Sequence, residues 1–429
     1  MRYLADDRRI LRQEPRLDSK FYEISHDTIA RSIFESRKWR VPRKWRLAGA
    51  VSILFMLALG AFAFWAVLEK GKVETEKGKA ENTVAFLIGE DFLDAVRPLG
   101  KLDVLEKIQR AVPCKDAEIG VKYDSVGLRN LGLACMNEGD IDYLRFRLRA
   151  AGSKYEMAHK HFVELARRQG KPDDPDLADS LAKLAQVASD QLELDKAERL
   201  TRQSLEIQEH VASSEASDHE VARDLAENYF RLGGLKRKQR NLQEALANFE
   251  KGIALSKPFS DRAQSSVEWL YLMQDGLLGR AAVLVLLRNQ QEADADFKQA
   301  YDCANRAVSM SPFAPEAKYR QAVARSELPI SAGQKAADVM RQDEEVLEDM
   351  IKLAQWDPEN KLWERDLAAT HVLLAEALVK NQRREEAVKH YGTAIGKMEE
   401  LGKIDPTNRQ LQSEMLVWLL ERLGSSSSQ

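Results

Sequence analysis

The chain has 429 residues, of which 31% are charged and 7% aromatic, with 22 glycines and 12 prolines. Because glycine and proline are scarce, the composition favours long helices over a turn-rich β-sandwich or barrel. Three cysteines (Cys114, Cys135 and Cys303) are too few for a disulfide scaffold, and none lies in the Cys-x-x-Cys pair typical of structural zinc sites. The formal net charge of −3 gives no reason to expect a nucleic acid as partner.

The first 46 residues precede a long apolar segment and are predicted to form a small α+β module. They read as a strand, a turn around Pro15 to Ser19, a second strand, and a helix from Thr28 to about Arg37. Asp27 is placed to cap that helix, because its carboxylate can accept hydrogen bonds from free backbone N–H groups of the first turn. A module of this size has little core of its own.

The segment Tyr22–Arg31, YEISHDTIAR, resembles the end of the winged-helix domain of bacterial STAND-type signalling ATPases. The resemblance implies that His26 and Asp27 lie close to a bound nucleotide and that the histidine senses its phosphates. An imidazole beside a helix N-terminus can donate to a phosphate that the helix dipole also favours. The alternative is an ordinary histidine that packs near a helix start. The chain has no Walker A loop, so we expect a separate STAND ATPase module to supply any ATP hydrolysis.

From Leu47 to Leu68 the chain contains 22 residues without charge or proline. At about 1.5 Å per residue this makes a helix of roughly 33 Å, which matches a hydrocarbon core of about 30 Å and predicts a transmembrane helix. A buried core helix and a signal peptide are the alternatives. Six cations in residues 37–46, against four shortly after the span, favour a cytoplasmic N-terminus. Residues 69–429 are then expected beyond the inner (cytoplasmic) membrane, in the periplasm of a Gram-negative bacterium.

Small residues recur with a step of 48 beyond the predicted span. The clearest series is Ala197, Ala245 and Ala293. Asp357 and Asp405 each open an Asp-Pro step with the same separation, and a degenerate unit is expected from Pro315 to Gln355. The pattern resembles tetratricopeptide repeats, in which two antiparallel helices cross at small residues. Since those repeats usually have about 34 residues, a step of 48 implies longer helices or longer loops.

The expected fold is therefore all-α, with one transmembrane helix followed by a tetratricopeptide-like helical repeat solenoid and preceded by a small α+β winged-helix remnant. The predicted boundaries are 1–37 for the winged-helix-like remnant, 38–46 for a basic juxtamembrane segment, 47–68 for the transmembrane helix, 69–122 for a juxtamembrane helical segment, 123–423 for the repeats and 424–429 for a disordered tail.

Repeat arrays leave a concave groove lined by the first helix of each pair, which we expect to bind a protein or peptide. On the tetratricopeptide register, the candidate groove residues are Asp190, Arg237, Lys238, Glu376 and Lys380. Arg237 and Lys238 lie in the most basic part of an otherwise acidic region and can receive a carboxylate or an acidic peptide. The alternative is that these two residues are exposed and only keep the protein soluble.

The sequence offers no positive sign of catalysis. It has no Gly-x-Ser-x-Gly elbow, no His-Glu-x-x-His helix and no glycine-rich phosphate loop. We therefore expect no enzyme activity, catalytic residues, metal or cofactor. If the repeats lie in an oxidising periplasm, Cys114 and Cys135 can form a disulfide, and two free buried thiols are the alternative.

The sequence predicts a single-pass membrane protein whose repeat region mediates protein–protein interaction, as the C-terminal part of a STAND-type signalling system. One alternative is a self-standing periplasmic scaffold for assembling envelope complexes, and another is a regulator that binds a nucleotide. The expected partners are a protein or peptide in the groove, the lipid bilayer and a separate STAND ATPase module, with no nucleic acid.

Overall fold

The computed structural model of the chain describes residues 11–16, 19–24, 101–110, 113–114, 123–214, 219–262, 265–328, 336–406 and 408–426. The chain divides into two compact units, Met1–Lys77 and Gly78–Gln429. The predicted helix from Thr28, the candidate nucleotide-sensing residues His26 and Asp27, and the predicted span Leu47–Leu68 lie outside the described residues.

The first unit contains an antiparallel hairpin formed by β1 (Leu11–Arg16) and β2 (Ser19–Ile24). This is the strand, turn, strand order expected from the sequence. The turn is shorter than predicted, because Pro15 lies within β1 opposite Lys20.

The second unit is all-helical over its described residues, and its helices form antiparallel pairs. A short helix α1 (Leu102–Gln109) precedes α2 (Ser125–Leu144) with α3 (Leu148–Gln169), α4 (Pro175–Asp190) with α5 (Leu194–Ser214), α6 (His219–Lys238) with α7 (Leu242–Ser260), α8 (Val267–Leu286) with α9 (Gln290–Met310), α10 (Pro315–Ser326) with α11 (Ala336–Trp356), α12 (Lys361–Lys380) with α13 (Arg384–Ile404), and finally α14 (Arg409–Ser426). The first member of each pair is called the A helix and the second the B helix. The described chain is thus a helical repeat solenoid, as the sequence predicts.

The last helix continues past the boundary predicted for the repeats. α14 ends at Ser426, so the first residues of the segment 424–429, which was predicted as a disordered tail, are helical. Each residue added to an existing helix gains one backbone hydrogen bond, which favours this extension.

The helix lengths set the step of 48 residues. α6 and α8 have 20 residues each, and their partners α7 and α9 have 19 and 21. The turns within these two pairs, 239–241 and 287–289, are short, so the extra length relative to a repeat of about 34 residues comes mainly from the helices. The degenerate unit expected from Pro315 is present as α10, with 12 residues, and α11, with 21.

Each full-length A helix from α2 to α8, and also α12, leads into the same tight turn. One turn residue has a left-handed backbone, with φ between 59° and 64°, although none of the five is glycine: Phe146, Leu192, Arg240, Arg288 and Gln382. In the turn after α4, Leu192 N–H donates to Ser189 O at 3.1 Å and Glu193 N–H to Ala188 O at 2.8 Å, as in a Schellman motif. Five residues after each left-handed position comes a fully buried alanine: Ala151, Ala197, Ala245, Ala293 and Ala387. The helix crossing thus holds a backbone conformation that costs about 1–2 kcal/mol for a non-glycine residue.

Aromatic rings fill the space between pairs where a neighbouring helix carries glycine. A Cβ placed on Gly279 of α8 would lie 2.1 Å from the Phe249 ring, and one on Gly276 would lie 2.3 Å from the Phe230 ring. Only glycine permits these helices to approach so closely. α8 is also the described helix whose length and apolar composition match a membrane span, and over half of its apolar stretch is buried within the array, as in a core helix.

A disulfide joins Cys114 to Cys135, with Cα atoms 4.6 Å apart. It ties the segment before α2 to the middle of that helix. Glu138 reinforces the same connection, since it accepts a hydrogen bond from Cys114 N–H at 2.6 Å and pairs with Lys154 of α3. The third cysteine, Cys303, is a buried free thiol.

Two histidines that are distant in sequence meet between α12 and α13. Nδ1 of His371 lies 2.9 Å from Nδ1 of His390, so one neutral ring donates a hydrogen bond to the other. Burial, together with His390 and Lys397, lowers the pKa of His371 to about 4. Burial also lowers the pKa of His390, an effect that Glu386 and Glu344 oppose and Arg383 reinforces.

We expect Gly279→Ala to lower the thermal midpoint of the full chain, because the added methyl group overpacks the Phe249 ring at a cost of about 1–3 kcal/mol. Gly396→Ala, in α13, is the matched control. No atom lies within 4 Å of a Cβ placed on Gly396, so the better helix propensity of alanine should raise the midpoint. Circular dichroism measures both shifts, and equal shifts in the two variants would contradict the packing described here.

We expect stability to fall as the pH is lowered from about 6.5 to about 4, in part because of His371. This side chain binds a proton at about pH 6.5 in the unfolded chain but only at about 4 in the folded one, so acid favours unfolding across that window. Denaturant titrations at several pH values should show a shallower dependence in His371→Gln. The exposed His219→Gln should behave like the wild type, and an unchanged slope in His371→Gln would refute the assignment.

Candidate functional site: the cavity along the A helices

The concave side of the array encloses a cavity of about 700 Å³. Its walls come mainly from the A helices α2, α4, α6 and α8, and Arg320 of α10 closes one end. We call this space the A-helix cavity. Its volume is within the range of about 300–1,000 Å³ that is common for ligand sites.

Charged side chains form rows across successive A helices in this cavity. Asp179, Glu227 and Asp275 follow one another at steps of 48 residues on α4, α6 and α8. Lys183 and Arg231 form a second row one helical turn further along, which places acidic and basic rows next to each other. The remaining charged residues of the wall are Asp140, Asp176, Asp190, Arg223, Asp224, Arg237, Lys238, Glu268 and Arg320.

Most cations of the wall are paired within the protein. Lys183 Nζ lies 2.8 Å from Asp140 Oδ1, and Arg231 Nη2 lies 3.0 Å from Glu227 Oε2. The Arg320 guanidinium pairs with Asp275 at 2.7 Å and lies 4.5 Å from the centre of the Tyr271 ring. These contacts hold the side chains against the wall.

Arg237, in the last turn of α6, is different. Its guanidinium makes neither an ion pair nor a hydrogen bond with any other side chain in the part of the chain that the structure describes. Burial lowers the pKa of this guanidinium and the carboxylate of Glu327 opposes the shift, but arginine remains charged. The cavity therefore presents a cation whose planar fork of donors matches a carboxylate.

Asp190 and Lys238 also line the cavity, as the sequence register predicts, but they face internal partners. Lys238 Nζ donates to Ser189 Oγ at 2.8 Å and lies 3.7 Å from Asp190 Oδ1. Tyr143 Oη donates to Asp190 Oδ2 at 2.7 Å. Burial raises the pKa of Asp190, and the nearby Lys238 ammonium opposes that shift.

Glu376 and Lys380, the other two predicted groove residues, do not line the A-helix cavity. They lie on α12, where both act on Asp343 of α11, and burial raises the pKa of that carboxyl to about 6. The register places them correctly on an A helix. The cavity ends earlier, at Arg320, because the A helix between α8 and α12 is the short α10.

The sequence interpretation missed Arg320, Tyr271 and the acidic row of the cavity. The row carries a signal that could have revealed it, since Asp179, Glu227 and Asp275 recur at the 48-residue step already found for the alanines. Arg320 has no such signal, because it belongs to the degenerate unit.

A serine and a histidine meet near α4, but their geometry does not make a nucleophile. His159 Nδ1 lies 3.0 Å from Ser180 Oγ, and the Ser180 hydroxyl donates to Leu177 O at 2.7 Å. The hydroxyl proton is therefore directed to the backbone, and the imidazole is left to act as donor. No group of three histidine, cysteine or carboxylate side chains in the described residues could hold a metal ion.

The chain matches no protein-family model and no curated protein sequence. Solved structures similar to it include a Rap protein complexed with competence and sporulation factor, at 12% identity over 89% of this chain and 96% of that chain, with a TM-score of 0.48. The apo form of the quorum sensor NprR from B. thuringiensis is 17% identical over 87% and 93%, with a TM-score of 0.47. The Rap conjugation gene regulator of plasmid pLS20, in complex with the Phr* peptide, is 13% identical over 76% of each chain, with a TM-score of 0.46. All three likenesses lie below a TM-score of 0.5, and the assignment to helical repeats rests on the helix pairs of this chain.

Proposed function

We propose that the repeat region binds an extended peptide or protein segment in the A-helix cavity, with a carboxylate of that ligand on Arg237. The unpaired guanidinium of Arg237, in a wall whose other cations are mostly paired, is the observation that carries the proposal. A partly desolvated guanidinium gains more from an incoming carboxylate than one that already has an anionic partner.

The character of the wall favours a peptide over an apolar small molecule. Charged residues of both signs alternate in rows, and the aromatic lining is limited to Phe162, Phe230, Phe249 and Tyr271. An extended peptide offers backbone donors and acceptors along its whole length, together with side chains and termini of both charges. Such a ligand can satisfy a polar wall that an apolar ligand would leave desolvated and unpaired.

We expect Arg237→Gln to weaken peptide binding by at least about tenfold, because a hydrogen bond to a charged group contributes about 1.5–3 kcal/mol. The probe is a random hexapeptide library with free C-termini, selected on the immobilised full chain. Selected peptides are then measured by isothermal titration.

Arg199→Gln is the matched control, because Arg199 lies exposed on the B helix α5, outside the cavity wall, and carries the same charge. It should bind the selected peptides like the wild type. If the library yields no saturable binder, the proposed function is wrong. If Arg237→Gln binds as tightly as the wild type, the role of Arg237 is wrong.

We also propose that the chain is anchored in the inner membrane by Leu47–Leu68, with the repeats on the far side, and that it acts in a STAND-type signalling system whose ATPase module is separate. The cation excess before the apolar segment supports this orientation. The Cys114–Cys135 disulfide supports it as well, because such bonds persist in oxidising compartments and are rare in the cytosol.

The orientation predicts the number of reactive thiols in protein taken from cells without reductant. After denaturation, we expect one thiol, that of Cys303, to react with maleimide, and three to react once a reductant is added. A compartment-sensitive reporter fused after Gln429 should give a periplasmic signal. A cytoplasmic signal, or three thiols without reductant, would contradict the proposed orientation.

A further inference from the structure

The two ends of the described repeat array touch each other. The C-terminal ends of the A helices α2, α4 and α6 meet the N-terminal ends of α12 and α14, although up to 255 residues separate the contacting positions. The array therefore completes a closed turn within one chain.

One part of this junction is a polar cluster around Arg365 of α12. Arg365 pairs with Glu414 of α14 at 2.7 Å, and Gln410 of α14 donates to the same carboxylate at 2.9 Å. The Oε1 atom of Gln410 accepts from Lys238 Nζ of α6 at 3.1 Å. Arg365 also acts electrostatically on Asp190, and a small cavity of about 40 Å³ lies between the two sides.

A second part of the junction lies around the turn between α11 and α12. Leu102 N–H, at the start of α1, donates to Asp357 Oδ2 at 2.9 Å. Arg145 Nε, just after α2, lies 3.3 Å from Glu359 Oε2, and Lys101 Nζ lies 5.2 Å from the centre of the Trp356 ring. Phe146 adds an apolar contact, because it is buried in the core cluster of the last repeats.

These contacts differ in kind from those between neighbouring repeats. Neighbouring helices pack along their length through apolar side chains, whereas no two described helices pack lengthwise across the junction. The junction consists mainly of hydrogen bonds and ion pairs at helix ends, with Phe146 as its main apolar contact. Ion pairs that water can reach contribute about 0–1 kcal/mol each, much less than the burial of a complete helix face.

We propose that this junction, which we call the end-to-end latch, opens and closes reversibly, so that the array alternates between a closed and an open turn while each repeat stays folded. Opening separates Lys238 from Gln410 at the edge of the A-helix cavity and leaves the apolar core of each pair intact. The proposal does not depend on which ligand the cavity takes.

Spin labels on the full chain test the latch. Arg149→Cys, beside the start of α3, and Ser413→Cys, on α14, are exposed positions on the two sides, and the native Cys303 is buried with its thiol pKa raised to about 11 by that burial. Pulsed electron resonance then gives the distribution of distances between the labels. In the latch variant Arg365→Gln/Glu359→Gln, we expect the population with a lengthened distance to increase at least about fivefold, the factor that corresponds to about 1 kcal/mol.

The matched control is Arg383→Gln/Glu386→Gln, which removes an exposed pair of the same residue types at the start of α13. It should leave the distance distribution unchanged. Circular dichroism of the latch variant should show wild-type helicity. An unchanged distance distribution in the latch variant would overturn the proposal. A longer distance accompanied by loss of helicity would overturn it too, because the junction would then be part of the cooperative fold.

Discussion

The close crossing of the two helices in each pair is the constraint on which the rest of the structure depends. A buried alanine recurs at this crossing, and each preceding turn takes a left-handed residue that is not glycine, as at Leu192 and Arg240. The packing of the pair therefore determines the turn, against the local preference of the chain. Because every regular pair repeats this geometry, the same face of each A helix points to the inner side of the array.

That repetition explains the charges of the cavity. A residue that faces inward in one repeat faces inward again 48 residues later, so like charges align, as Asp179, Glu227 and Asp275 do. A row of like charges is costly unless opposite charges lie nearby. Arg231 provides one such charge to Glu227, and Arg320 provides one to Asp275. Arg237 lies near the end of α6, beyond this alternation, which is why it has no anion to pair with.

The sequence predicts the pairs well, because alanine spacing and Asp-Pro steps report directly on helix crossings and joints. It also places Asp190, Arg237 and Lys238 on the inner face. It cannot show which of these three is free, since the partners of Lys238 come from Ser189 and Gln410, on two other helices. It cannot show where the cavity ends either, because that depends on the shortness of α10. Glu376 is therefore on an A helix but outside the cavity.

The cavity and the end-to-end latch share residues, which links their energetics. Asp190 ends α4, where the helix dipole disfavours a carboxylate, and the residues of the latch offset this cost through Tyr143 and Lys238. A ligand carboxylate on Arg237 would also attract the neighbouring Lys238 away from Asp190 and Gln410. Binding would then weaken the closed turn, and by linkage an open turn would bind the ligand more tightly by the same factor. One lysine, held by both ends of the array, is thus enough to couple an inner ligand to the shape of the whole repeat region.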